Sequence, residues 1–131
     1  MTYELFKPSR GRDAEPIIKL TPQGILYINS KASEKYGLDY IDYNYCLLYF
    51  DKDTTRLAII PITDKQESSV RLLKKAGTKV ISISINGLLS DNMLIKPKEK
   101  ISLTTNKDII NGENAIVISL EQFKSLTEVE R

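Results

Sequence analysis

The chain has 131 residues, 41% of them hydrophobic, a formal net charge of +2, one cysteine and no histidine. That length and apolar share fit one globular domain and exclude a wholly disordered chain. The missing histidine removes the commonest general base and metal ligand, and a lone cysteine excludes a disulfide framework within the chain.

No run of residues approaches the roughly 18 apolar positions that cross a bilayer. The opening MTYELFKPSR has no apolar segment behind a basic start, so a cytoplasmic protein is expected. The near-neutral total hides an uneven distribution. Residues 64–107 carry nine basic and four acidic side chains, a surplus of +5, whereas residues 14–63 carry five basic and six acidic, −1. Gathered on one face, the lysines of the second half give a positive field; scattered, they are a solvated surface.

Residues 1–15 read as a polar arm. Tyr3, Leu5 and Phe6 are its only large apolar side chains, and Lys7, Arg10 and Arg12 surround Pro8, Ser9 and Gly11. A short basic arm is either a solvated tail or a way to reach phosphates and a minor groove.

Residues 16–63 form a first unit. Ile18 and Leu20 alternate with Ile17 and Lys19 as in a half-buried strand. Pro22-Gln23-Gly24 is a turn, because proline presets one dihedral and glycine takes a positive one. A second strand follows over 25–28. Asn29-Ser30 offers a helix N-cap, residues 31–36 are one or two helical turns, and Gly37 ends them left-handed. Strands 45–50 and 57–62 are joined by the polar loop 51–56. Several of these strands are apolar on both faces and so need cover on both sides. Asp51 and Asp53 hint at a calcium loop, but Arg56 and Ile62 stand where that loop needs glycine and glutamate. Pro61, near its strand's end, fits an edge or terminal position.

Residues 64–76 read as a connector. Residues 77–121 then repeat the plan, and 122–131 are a C-terminal tail. With Gly24 set on Gly77, strand 25–28 falls near 80–83, the helical segment 31–38 near 86–93, strand 45–50 near 100–105 and strand 57–62 near 115–120. One such unit cannot cover both faces of its strands, whereas two related by a pseudo-twofold close a small barrel. The expected fold is mostly β with short helices: two pseudo-symmetric strand-strand-helix-strand-strand units over 16–121.

The first unit resembles the DNA-binding domain of the AbrB, SpoVT and MazE group, the swapped-hairpin or looped-hinge-helix family. The residues that carry the resemblance are 19–24 as strand and turn, 25–28 as second strand, 30–38 as the short helix, and 45–50 with 57–62 as the closing hairpin. A chain with two copies is similar to the MraZ proteins. The resemblance implies a cradle-loop barrel and prokaryotic transcription control or an antitoxin role. The chain departs from the family at Ile25, where members usually carry a DNA-facing arginine, and at Asn29-Ser30, where they usually carry proline.

Cys46, inside an apolar strand, reads as a small buried hydrophobe rather than a nucleophile. No glycine pattern cradles phosphate and no carboxylate pair stands out, so no enzyme activity, metal or cofactor is expected. On the DNA-binding reading the phosphate contacts come from Lys7, Arg10, Arg12, Lys74, Lys75, Lys79, Lys96 and Lys98. On the alternative reading the chain is a protein-interaction module. Tyr40, Tyr43, Tyr45 and Tyr49 fall within ten residues that contain no lysine or arginine, a composition suited to a protein interface. A homodimer is expected on either reading.

Overall fold

In a computed structural model of the chain, residues 15–124 are described. They form ten short strands in two antiparallel sheets and two short helices. Among the described residues no helix is long and apolar enough to cross a membrane.

The chain opens on a hairpin of β1 (Ile18–Leu20) and β2 (Ile25–Ile28). Ile18, Leu20, Leu26 and Ile28 are buried, while Lys19, Ile25 and Tyr27 between them face outward and are half-buried. The turn forms as expected. Gly24 takes φ +78, its N–H donates to the Thr21 carbonyl at 3.0 Å, and the Thr21 hydroxyl accepts from Ile25 N at 3.2 Å. A side chain at Gly24 would also press to 3.0 Å of Asn86, because the turn seats against the start of the second helix.

Helix α1 (Ser30–Lys35) begins at Asn29, which is only 3% exposed. Its Oδ1 accepts from Ala32 N at 2.8 Å and from Ile17 N at 3.0 Å, and its Nδ2 donates to the Glu15 carbonyl at 2.8 Å. One side chain therefore caps the helix and ties it to the strand entering β1. The helix ends where Gly37 turns left-handed, φ +71, letting Leu38 N return to the Ser33 carbonyl at 2.8 Å.

β3 (Tyr45–Asp51) and β4 (Arg56–Ile62) form the next hairpin. Its loop is held by Asp51, whose Oδ1 accepts from Asp53 N at 2.9 Å. The Thr54 hydroxyl and that amide hold the Asp51 carboxyl below the usual carboxylate range. Pro61 lies in a central strand, beyond the Arg56–Ile59 stretch that β10 pairs, so no ladder bond to β10 is lost there.

The segment expected as a connector contributes β5 (Val70–Arg71) and β6 (Leu73–Lys74), the latter paired with β7 (Ile81–Ser84) across a turn at Gly77, φ +76. Helix α2 (Asn86–Asp91) follows, then β8 (Ile101–Ser102), β9 (Thr105–Ile110) and β10 (Glu113–Ser119), and a 3-10 turn over Glu121–Phe123. Asn111 and Gly112, φ +54 and +79, make the two-residue loop that β9 and β10 need to match their twist.

Sheet A runs β6-β7-β2-β1-β8, and sheet B runs β5-β3-β4-β10-β9. At the centre of each, a strand from the first half of the chain meets one from the second: β2 pairs β7, and β4 pairs β10. Residues 70–74 pair in both sheets, as β5 with β3 and β6 with β7. Residues 101–110 do likewise, as β8 with β1 and β9 with β10. The main core joins both sheets and both helices through Leu20, Leu26, Ala32, Leu57, Ile59, Ile83, Leu89 and Ile118, and includes Phe123 of the 3-10 turn. A smaller cluster of Ala58, Ile60 and Ala115 lies on the other face of sheet B, so β4 and β10 are apolar on both sides, as their sequences require.

Candidate nucleic-acid interface

The structure sorts the expected basic residues by what each one touches. Lys7, Arg10 and Arg12 lie outside the described residues. Lys79 spends its charge locally, with Nζ 3.2 Å from Glu34 Oε1 and 3.6 Å from Asp39 Oδ2. Its hydrogen bond to Glu34, together with the charges of Glu34 and Asp39, raises its ammonium above the usual lysine range. Lys74 donates to the carbonyls of Tyr40 and Ile41, both at 3.2 Å. Lys75 is exposed at the β6–β7 turn, which its own backbone closes by accepting from Thr78 at 3.2 Å. Lys96 and Lys98 stand exposed on either side of the buried Pro97, in the loop after α2.

The four tyrosines divide into two pairs. Tyr40 and Tyr43 meet edge to face, ring centres 5.1 Å apart, in the loop between α1 and β3. The Tyr40 hydroxyl donates to Asp42 Oδ2 at 2.9 Å, and that bond raises its pKa. Tyr45 and Tyr49 lie on β3 opposite Ile62 and Ala58, on the outward face of sheet B. Lys74, read as a phosphate contact, and Tyr40, read as a protein contact, thus share one corner of the molecule.

The outward face of sheet A was not grouped by the sequence reading. Lys19 on β1 stands opposite Tyr27 on one side and Ser102 on the other. Tyr27 in turn stands opposite Ser82, and Ser82 opposite Leu73. Lys100 reaches over the Tyr27 ring, its Nζ 5.3 Å from the centroid. Among the described residues, the outward positions of this five-stranded sheet carry cations, hydroxyls and apolar groups but no carboxylate. Five strands about 4.8 Å apart make a surface roughly 20 Å across, comparable with the width of a duplex. The sequence signal was Lys19 alternating with two buried residues, but Ser102, Ser82 and Lys100 reach this face from the second half of the chain.

The outward face of sheet B is different in kind. Leu47, Ile62, Val117 and Ile110 are half-buried around Ala58, Ile60 and Ala115, with Asp108 and Glu113 at the β9–β10 end. Cys46 is buried in the core, and that burial pushes its thiol up to about 12. Among the described residues no three of histidine, cysteine, aspartate and glutamate gather as a metal site. Comparison with protein-family models, with curated proteins and with solved structures gives no match for this chain.

Proposed function

We propose that this is a small DNA-binding protein of the prokaryotic transcription-regulator or antitoxin kind, which meets duplex DNA through phosphates on the outward face of sheet A. The observation that carries the reading is the set of side chains there: Lys19 and Lys100 beside Tyr27, with no carboxylate on the outward positions of the sheet. Such a face attracts a polyanion, and the carboxylate of Glu121 lies at its margin, in a hollow shared with Ser102. The recurrence of hairpin, helix and hairpin supports a tandem AbrB-like architecture. The two segments that pair in both sheets, 70–74 and 101–110, support closure into a small barrel. On this reading the protein is cytoplasmic, non-catalytic and free of cofactor.

The apolar outward face of sheet B favours a second contact, with a protein. Tyr45 and Tyr49 border it, which fits self-association as a homodimer or an assembly role.

The test is binding of labelled random-sequence duplex at about 50 and about 200 mM salt, a range over which several phosphate contacts cost orders of magnitude in affinity. Binding that weakens steeply with salt supports the reading. No binding at the lower salt contradicts it and leaves the protein-interaction role.

A further inference from the structure

We propose that the DNA site of this protein is asymmetric, a duplex with two unlike half-sites bound in one orientation. The inference rests on the DNA-binding reading and concerns what that face can distinguish. The pairings share one approximate twofold. In sheet A it relates Leu26 to Ile83, and in sheet B Ile59 to Ile116, two pairs each 57 positions apart. The strand junctions obey the same relation. Leu20 pairs with Ile101 where β1 meets β8, and Leu72 N donates to the Asn44 carbonyl at 2.9 Å where β5 and β6 meet β3. Ile101 and Asn44 are again 57 apart, while Leu20 and Leu72, both buried, are 52 apart, the first strand being shifted by five positions.

This relation says which outward residues are counterparts. Lys19 corresponds to Arg71, each facing outward beside a buried leucine. Tyr27 corresponds to Ser84 and Ile25 to Ser82, while Tyr45 corresponds to Ser102. Lys19 therefore has a cationic counterpart, whereas Lys100 corresponds to Tyr43 and the side chains next to the shared cation differ. Phosphate contacts orient a protein on a duplex and carry no sequence information; groups that reach base edges carry it. A two-fold protein reads a palindrome because its two reading surfaces are alike. Here one cation is shared by the two sides and the surfaces around it differ: Tyr27, Ile25 and Ser102 with Lys100 on one side, Ser84, Ser82 and Tyr45 without that second lysine on the other.

The experiment is selection of bound duplexes from a random library by the full chain, followed by affinity measurement. The expected motif is non-palindromic, and replacing either half with an inverted copy of the other weakens binding at least about tenfold, since each wrong base pair carries a cost. Orientation is read with an iron chelate tethered at Ser102→Cys, an exposed position. Cleavage is expected at one flank of the motif only. With a single copy bound per duplex, a palindromic motif or equal cleavage at both flanks overturns the inference and leaves the DNA-binding reading standing. Duplex binding without any enriched motif does the same. No duplex binding at low salt overturns both. The selection uses the unmodified chain, so a poorly folding variant does not decide the outcome.

Discussion

Gly37 and Met93 occupy the same place at the ends of the two helices, and only one of them is a glycine. Gly37 takes φ +71 and Met93 φ +55. The bonds around them match: Gly37 N to Glu34 O and Met93 N to Ser90 O, both 3.2 Å, then Leu38 N to Ser33 O at 2.8 Å and Leu94 N to Leu89 O at 2.9 Å. Left-handed backbone costs a residue with a Cβ about 1 kcal/mol, and glycine none. Met93 is 65% exposed, so little packing is lost with its side chain. Met93→Gly is expected to stabilise the protein by about 0.5–1 kcal/mol, and Gly37→Ala to destabilise it by a similar amount. Urea unfolding of the two variants checks both signs.

Asn29 is expected to be among the most sensitive polar positions. It satisfies Ala32 N, Ile17 N and Glu15 O from a buried site. Alanine there removes a helix cap and strands buried backbone groups, together worth about 2–3 kcal/mol. Asn29→Asp keeps the acceptor for the two amides but turns an oxygen toward the Glu15 carbonyl. It is expected to fall between alanine and the native residue in denaturant midpoint.

Ser33 sits in α1 at 0% exposure, and its Oγ has no hydrogen-bond partner. Its desolvation is uncompensated, so Ser33→Ala is expected to leave stability unchanged or raise it by up to about 1 kcal/mol. Clear destabilisation in the same unfolding assay contradicts that.

The buried thiol of Cys46 gives a pH signature. Its pKa rises from the ordinary 9.0 to about 12 because burial disfavours the thiolate. A raised pKa means the folded protein holds the proton more tightly. The thiol's contribution to stability is complete below pH 9.0 and is lost as pH climbs toward about 12. Replacing Cys46 with alanine should flatten this part of the profile, whatever it costs in packing. At pH 8 the native thiol is expected to resist a thiol reagent that the unfolded chain consumes at once.

The parts legible in the sequence were those written locally. Pro22-Gln23-Gly24 announced a turn, Asn29-Ser30 a cap and Gly37 a helix end; the turn and the helix end form as read, and of the two cap residues it is Asn29 that caps. Gly77 marks a second hairpin turn with φ +76, as Gly24 marks the first. The Asn111-Gly112 loop carried an equally local hairpin signal that went unread, and with it the strand over Thr105–Ile110. Leu72 looked like a fragment of a pattern in a connector, yet it is buried between outward Arg71 and Leu73. The interface was less legible because its partners are remote in sequence. Lys79 is neutralised by Glu34, and Lys100 lies over Tyr27. A charge count cannot separate a lysine that is paired from one that faces a surface free of carboxylates.

That separation is the most direct test of the interface. Salt-dependent duplex binding would be compared for Lys19→Ala with Lys100→Ala, for Lys79→Ala, and for the native chain. The double variant is expected to bind at least about tenfold more weakly at 50 mM salt, with a salt slope shallower by about 2, as for two lost phosphate contacts. Lys79→Ala is expected to stay within about twofold of native, because its charge is already held by Glu34 and Asp39. If Lys79→Ala weakens binding and the double variant does not, the proposed contact between duplex DNA and the outward face of sheet A is contradicted.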